Sequence, residues 1–279
     1  MEKELMRRSL LAVVLAATAV LASAVPAAAV PKPIIGGTPV ADDTYPFMVT
    51  LQIKGEGPAR DRHNCGGSLL SAWEVITAAH CVGSDPSRFE VVVGRTVLSS
   101  NQGQVRPVAD ILRHPKYRKE PGNDLALLWL SEPITGITPV KLPTPGTDSL
   151  LRPGQEATVI GWGATDTNYP ATPDRLRQVN VPIIHHDECA ISEGGSFNPE
   201  TDVCAGRAGR DSCWGDSGGP LFRTPPGKDA PYQIGVVSRG FNCAEQGGPG
   251  VYTSLSSKPL WDGLWGSDEG KRYKSAHGG

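Results

Sequence analysis

The chain has 279 residues, and its 27 Lys and Arg nearly balance its 29 Asp and Glu, for a formal net charge of −2. So small a charge does not indicate a nucleic acid or an anionic membrane as the partner. The 33 glycines and 25 prolines leave little room for long helices.

The N-terminal segment has the pattern of a leader. Two arginines precede an apolar run, Leu10–Leu21, and the small residues of ASAVPAAAV follow. This order predicts a signal peptide over residues 1–29, with cleavage after Ala24 or Ala29, and a short propeptide over 30–33. Without these residues, 23 basic groups face 27 acidic ones, a net charge of −4. No second apolar run of spanning length follows, so we expect a secreted, extracellular protein that does not bind membranes.

Short β-rich stretches separated by turn residues fill the rest of the chain, which predicts an all-β barrel or sandwich. A helical period is visible only late, over Lys258–Trp265. The polar, glycine-rich tail at 266–279 is expected to be loosely ordered. The predicted strands are Phe47–Ile53, Glu74–Thr77, Phe89–Val93, Asp124–Leu130, Ala157–Gly161, Arg177–Ile184 and Tyr232–Val237.

An even number of cysteines in an exported chain predicts three disulfides rather than a metal site, since no pair has C-x-x-C spacing. Fifteen pairings are possible, and spacing does not choose among them. The six are Cys65, Cys81, Cys189, Cys204, Cys213 and Cys243.

Three segments supply the groups that activate a serine nucleophile. Ser217 lies in GDSGGP, His80 in TAAHC and Asp124 in GNDLALLWL. A serine hydroxyl needs a base within hydrogen-bond reach, and the base needs an orienting carboxylate. Each residue alone is more simply structural, but together, in an exported all-β chain, they predict nucleophilic catalysis.

These motifs resemble the chymotrypsin/trypsin family of serine endopeptidases, and PKPIIGG is nearest to its secreted bacterial members. The resemblance runs from IIGG at Ile34 through GWG at Gly161 to PGVYT at Pro249. It implies two six-stranded antiparallel Greek-key β-barrels with the active site between them and a short C-terminal helix. The peptidase domain would span 34–265, with the barrel boundary near 140–150, as a monomer without a cofactor. No metal is expected, because the segment that matches the family's calcium-binding loop has no acidic residue between Gly94 and Ala109.

The resemblance also implies the role of each site residue. Ser217 would attack the peptide carbonyl, His80 would carry the proton, and Asp124 would orient His80. The backbone N–H groups of Gly215 and Ser217 would form the oxyanion hole. The implied disulfides are Cys65–Cys81, Cys189–Cys204 and Cys213–Cys243.

Asp216, beside the nucleophile, would oppose the developing negative charge unless a cation neutralised it. In the resembled family the matching carboxylate pairs with the α-amino group that propeptide cleavage releases, here on Ile34, and a buried pair of this kind requires both partners. Pro33 stands where self-activating trypsins have Lys or Arg. We therefore expect a zymogen that another protease activates.

Asp211, taken alone, is most simply a solvated loop acid, but it matches the acid at the base of the trypsin specificity pocket. The resemblance therefore implies cleavage after Arg or Lys.

Two departures alter the cleft: Trp214 is bulkier than the common Gln, and Arg239 stands where most relatives have Trp. Arg239 would either favour acidic residues among the second to fourth substrate residues or point to solvent. The other implied substrate-binding residues are Ser212, Ser238, Gly240 and Gly250.

Two alternatives remain: an inactive homologue acting as a binding protein, and a protease of chymotrypsin- or elastase-like specificity. Inactive relatives usually lose the His, the Ser or the GDSGG glycines, which are all present, and the other specificity disregards Asp211. Expected partners are protein or peptide substrates, protein protease inhibitors and an activating protease. The remaining histidines, predicted to be surface or packing residues, are His63, His114, His185, His186 and His277.

Overall fold

The structure, a computed structural model, describes residues 37–165, 172–240, 243 and 248–278. The predicted signal peptide, the propeptide and Ile34 lie outside the described residues. The strands are β1 Thr38–Pro39, β2 Met48–Ile53, β3 His63–Leu69, β4 Glu74–Thr77, β5 Phe89–Val93, β6 Gln104–Arg113, β7 Ala126–Leu130, β8 Glu156–Gly161, β9 Arg177–Ile184, β10 Asp202–Ala205, β11 Pro220–Arg223, β12 Tyr232–Arg239 and β13 Gly250–Ser254. The helices are α1 Ala59–Arg62, α2 His186–Glu193, α3 Lys258–Gly266 and α4 Asp268–His277, with 3-10 turns at Ala79–Cys81, Pro86–Arg88 and Gly194–Ser196.

The first barrel closes in the order β2–β3–β4–β7–β6–β5, with every pair antiparallel. Its strands are rich in β-branched residues, and β5 alternates in FEVVV so that Phe89, Val91 and Val93 are buried. Strand β7 begins two residues later than predicted. The cause is Asn123, which has a positive φ of 61° and accepts a bond from the N–H of Leu125. The turn leaves Asp124 in the loop before β7.

The second barrel closes in the order β8–β9–β10–β13–β12–β11, because β8 pairs with both β9 and β11. Strand β1 adds to the outer edge of β9. Its core is aliphatic, with Val159, Val181 and Ile234 fully buried. The prediction of an all-β fold with two six-stranded barrels is confirmed.

The two barrels pack against each other through aromatic rings and backbone hydrogen bonds. Tyr45, Phe47 and Phe222 contact edge to face, with ring centroids 5.2–6.0 Å apart. The hydroxyl of Thr253 on β13 donates to the carbonyl of Asp124 at 2.8 Å. The residue predicted to orient the base is therefore fixed by both barrels.

The C-terminal tail is helical, so the prediction of a loosely ordered tail is wrong. Ser267 caps α4 by accepting a bond from the N–H of Gly270, and Gly278 ends the helix at a positive φ of 68°. Tyr273 on α4 is buried, which explains why the helix stays on the barrel despite its polar sequence. No helix in the described ranges has the length and apolar character needed to cross a membrane.

Candidate active site

His80 and Asp124, 44 residues apart, meet because β4 and β7 are paired. The register places Thr77 opposite Ala126, so the ends of both strands open into the same cleft. Nδ1 of His80 lies 2.7 Å from Oδ2 of Asp124, and the backbone N–H of His80 donates to Oδ1 at 2.9 Å. The carboxylate thus fixes both the ring and the backbone of the histidine.

Asp124 is buried and carries a third bond, from the hydroxyl of Ser238 to Oδ2 at 2.7 Å. Burial by itself would raise the pKa of Asp124, but the bonds from His80 and Ser238 outweigh it and hold the pKa below its ordinary value. Asp124 is therefore ionised at neutral pH. An ionised acceptor keeps a proton on Nδ1 of His80 and leaves Nε2 available as a base.

Ser217 lies in the loop between β10 and β11, where the second barrel meets the first. Its carbonyl accepts a bond from the N–H of Gly66 on β3 at 2.7 Å. Gly218 has a positive φ of 77°, and a Cβ there would lie 2.2 Å from Oγ1 of Thr77, so only glycine fits this contact. No hydrogen bond joins the hydroxyl of Ser217 to His80, although both residues are described; such bonds often form only with substrate.

The backbone N–H groups of Gly215 and Ser217 donate to no acceptor within the described residues. The carbonyl of Trp214 accepts from the N–H of Ala164 at 2.7 Å, which turns the N–H of Gly215 the opposite way across a trans peptide. Gly215 has a positive φ of 97°, a conformation that favours glycine. Two unpaired donors beside a serine suit a developing oxyanion.

His63 contacts this loop directly. Its Nε2 lies 3.1 Å from the carbonyl oxygen of Gly215, and its Nδ1 lies 2.8 Å from the hydroxyl of Thr50. Burial lowers the pKa of His63 to about 4, so the ring is neutral at pH 7. The carbonyl can only accept, so Nε2 donates to it and Nδ1 accepts from Thr50. The sequence did not distinguish His63 from a packing histidine.

Asp216 is fully buried beside Ser217. Its two oxygens accept bonds from the N–H of Gly163 at 2.7 Å and of Cys213 at 2.8 Å. Burial raises the pKa of Asp216 to about 6, because these two bonds offset only part of the desolvation. Ile34, its predicted partner, lies outside the described residues.

Asp211 lies on the inner wall of a narrow pocket that Ser217 also lines. It is 2 % exposed, and its Oδ1 accepts from the N–H of Ser212 at 2.8 Å. A Cβ on Gly250 would lie 2.7 Å from that same oxygen, so a side chain there would obstruct the carboxylate. The pocket is therefore lined by both the buried carboxylate of Asp211 and Ser217. Trp214, 55 % exposed, lines the pocket as well.

Comparison with known proteins places the chain in a family. Residues 34–261 match the trypsin family. Similar proteins include trypsin of Saccharopolyspora erythraea, 37% identical over 80% of this chain and 94% of that protein, and trypsin 5G1 of Aedes aegypti, 39% identical over 82% and 83%. Trypsin-1 of Astacus astacus is 35% identical over 82% of this chain and 98% of its own.

The chain belongs to the trypsin family. It is therefore a trypsin-like serine endopeptidase, a hydrolase of peptide bonds. The resemblance found in the sequence motifs is confirmed over most of the chain.

As the resemblance to the trypsin family implies, the structure pairs the cysteines as Cys65–Cys81, Cys189–Cys204 and Cys213–Cys243. The first disulfide joins β3 to the turn that carries His80, and the third lines the Asp211 pocket. Each is expected to contribute about 2–5 kcal/mol to the free energy of unfolding.

Among the described residues of this trypsin-family enzyme, two clusters consist of side chains of the types that bind metal ions. In one, the sulfurs of Cys65 and Cys81 beside His80 are already joined in a disulfide. The other, His185, His186 and Asp187 around the start of α2, is wholly exposed. Neither has a second feature that points to a bound ion.

Arg239 is the residue of the cleft that differs most from expectation. Its Nη2 donates to Oδ2 of Asp202 at 2.7 Å and to the carbonyl of Ser196 at 2.6 Å. Sequence reasoning anticipated a substrate acid or solvent as its partner and missed Asp202, which precedes it by 37 residues and carries no motif of its own.

Proposed function

We propose that this protein is a secreted endopeptidase that cleaves after Arg or Lys through Ser217, His80 and Asp124. The observation that carries the proposal is the His80–Asp124 pair together with a pocket that both Ser217 and the buried Asp211 line. A desolvated carboxylate binds a guanidinium or ammonium group through charge-assisted hydrogen bonds. A substrate Arg or Lys on Asp211 would bring its own carbonyl to Ser217.

The chemistry then proceeds in two steps. In the first, Oγ of Ser217 bonds to the carbonyl carbon while its proton passes to Nε2 of His80, and His80 returns that proton to the amine as the C–N bond breaks. In the second, water bonds to the acyl carbon while its proton passes to Nε2 of His80, and His80 returns that proton to Oγ of Ser217 as the ester C–O bond breaks and the acid product leaves. Asp124 stabilises the imidazolium of His80 in both steps.

The N–H groups of Gly215 and Ser217 would stabilise the tetrahedral oxyanion. Removal of one such donor typically costs about 3–4 kcal/mol of transition-state stabilisation. His63 bonds to the carbonyl of Gly215, and Ala164 bonds to the carbonyl of Trp214, so the peptide groups before and after Gly215 are both fixed. The N–H of Gly215 is therefore oriented before substrate arrives.

Activation would follow release of a free amine on Ile34, which would neutralise Asp216. The support is the state of that carboxylate: it is fully buried, and its pKa is raised to about 6 by burial. A buried anion without a cation is unfavourable, and an ammonium group supplies the missing charge. Since Pro33 precedes Ile34, the cleavage would fall to another protease.

Substitution of the nucleophile tests the proposal. With the N-terminus at Ile34, the enzyme should hydrolyse an arginine ester and incorporate one small serine-directed reagent per chain, on Ser217. Ser217→Ala should lower kcat by roughly 10⁶-fold and abolish labelling, with an unchanged Tm. Unchanged ester hydrolysis in Ser217→Ala would contradict the proposal, and a correctly processed, folded protein that hydrolyses nothing would favour the inactive homologue.

A further inference from the structure

Arg239 stands where two parts of the substrate cleft join. It lines the Asp211 pocket, and it also lines an open cleft of about 340 Å³ beside His80. A substrate with its side chain on Asp211 must lay its adjoining residues across this junction. The side chain of Arg239 therefore borders both the residue that is cleaved and its neighbours.

The guanidinium is fixed by three different segments. Nη2 binds Asp202 on β10 and the carbonyl of Ser196 in the 3-10 turn after α2, and Nη1 lies 3.5 Å from the hydroxyl of Ser238. Ser238 in turn donates to Asp124. One side chain thus connects the loop after α2 to the floor of the active site.

The charge of Arg239 is balanced inside the protein. The side chain of Asp202 is 0 % exposed, whereas that of Arg239 is 28 % exposed and keeps one face toward the cleft. Burial raises the pKa of Asp202, and the attraction of Arg239 opposes this rise. Oδ2 of Asp202 also accepts from the N–H of Asn198 at 3.1 Å, which further fixes the carboxylate.

The remaining charges of the open cleft have both signs. Arg118 and Glu120 line its other side, and Glu120 lies 3.0 Å from Lys116. Arg118 contacts the hydroxyl and the ring of Tyr117 and has no carboxylate partner among the described residues. Arg239, by contrast, is paired with Asp202, so it adds no second positive charge that would select an acidic side chain.

We propose that Arg239 is a positioning residue for extended substrates, held by Asp202 and Ser196 as a wall of the cleft, and that Asp202 prevents it from selecting acidic substrate residues. The proposal rests on the proposed function, since it concerns the residues next to the one bound by Asp211. Its two parts, shape and charge compensation, have separate tests.

The first test compares a short and a long substrate in the mature enzyme. Arg239→Gln should lower kcat/KM on an arginine peptide that extends three residues to either side about tenfold more than on a single-residue arginine ester, mainly through KM. Arg152→Gln, which removes an exposed charge before β8, is the matched control and should not change the ratio. Equal losses on both substrates in Arg239→Gln, at unchanged Tm, would overturn the positioning role.

The second test uses a peptide library with a fixed Arg and varied neighbours. Relative to the wild type, Asp202→Asn should gain about tenfold in preference for Asp or Glu over Asn or Gln, the effect of one newly available charge contact. Arg239→Gln combined with Asp202→Asn should lose that gain. A strong acid preference in the wild type that Arg239→Gln removes, or no gain in Asp202→Asn, would overturn the compensation.

Failure of this inference is distinguishable from failure of the proposed function. The single-residue arginine ester does not reach the outer cleft, so its hydrolysis reports on Ser217 and Asp211 alone. If wild type and variants all hydrolyse the ester while the substrate-length comparison and the library test both fail, only the role of Arg239 is wrong. If none hydrolyses it, the proposed function itself fails.

Discussion

At the scale of single residues, the site contains several buried carboxylates that are stabilised in different ways. Asp124 receives bonds from His80 and Ser238 that bring its pKa below the ordinary value, whereas Asp216, with two backbone donors, has its pKa raised to about 6 by burial. Burial also raises the pKa of Asp202, against the attraction of Arg239. Burial acts on all three, so the number and charge of the partners decide whether the pKa of each carboxylate ends above or below its ordinary value.

Asp211 is the residue whose replacement should change specificity without changing the chemistry. Asp211→Ser removes the anion that would receive a substrate Arg or Lys, so kcat/KM for an arginine ester should fall roughly 10²–10⁴-fold. Titration of Ser217 by a small serine-directed reagent should change little, because that reagent does not enter the pocket. Asp229→Ser, at an exposed loop position, is the matched control. Similar losses in both assays would show that Asp211 acts on the fold instead.

The sequence predicted the residues that carry specific motifs and missed those that act through contact alone. His80, Asp124 and Ser217 lie in segments whose neighbours identify them. His63 and Asp202 lie in no such segment, and their roles depend on distances to Gly215 and Arg239 that no single sequence displays.

At the scale of elements, the strands were predictable because β-branched runs alternate between turn residues. The boundaries of Glu74–Thr77, Phe89–Val93 and Arg177–Ile184 agree with those of β4, β5 and β9. Helix α4 was missed because its composition is polar. Its signals were nevertheless present: a serine cap, two acids in the first turn and a glycine at the end.

Helix α4 packs on the first barrel through aromatic contacts. The ring of His277 stacks on Trp129 with centroids 4.3 Å apart, and its Nε2 lies 3.1 Å from Oδ2 of Asp110 on β6. Tyr273 contacts Trp129 edge to face at 6.4 Å. Tyr273 and His277, which make these contacts, lie beyond residue 261, where the match to the trypsin family ends.

Removal of α4 should therefore destabilise the barrel and spare the chemistry. A chain that ends at Gly266 loses the buried Tyr273, and we expect a loss of about 3–5 kcal/mol in the free energy of unfolding, as for removal of a large buried aromatic side chain. Trp129 should become solvated, with a red-shifted emission, and hydrolysis of the arginine ester at 25 °C should persist. Lys271→Ala, on the exposed face of α4, should change neither the free energy of unfolding nor the emission of Trp129. An unchanged Tm in the truncated chain would contradict a packed helix.

At the scale of the whole molecule, the two barrels form one site because each supplies what the other lacks. His80 and Asp124 belong to the first barrel, and Ser217, Asp211 and Ser238 to the second. The bonds from Gly66 to Ser217 and from Thr253 to Asp124 fix the junction. Sequence motifs named these residues, but the junction itself follows only from the packing.

The proposed activation should appear as a pH-dependent difference in stability between the proposed precursor, the uncleaved chain, and the mature enzyme that begins at Ile34. In the precursor, the pKa of Asp216 is raised from 3.8 to about 6, so the folded state binds more protons than the unfolded state between these values. Its stability should therefore fall as pH rises through this range, by about 3 kcal/mol. In the mature enzyme the Ile34 amine would keep Asp216 ionised and prevent this loss.

Calorimetric Tm values of both forms, in a Ser217→Ala background that prevents autolysis, would measure the difference. The difference in Tm between the two forms, here called the gap, should open between pH 4 and 6. It should close again above about pH 8, where an α-amino group loses its proton. The lowered pKa of His63 makes stability rise with pH up to 6.5, but it does so in both forms and cancels. Asp216→Asn should abolish the gap, and a gap that is independent of pH would exclude Asp216 as the partner.

In the proposed function, the buried carboxylate of Asp211 selects the bond that Ser217 cleaves. Its most direct test is a digest of an unbiased peptide library by protein whose N-terminus has been sequenced as Ile34. Cleavage should fall almost entirely after Arg and Lys, and Ser217→Ala should cleave nothing. Cleavage that falls mainly after aromatic or small apolar residues would contradict it.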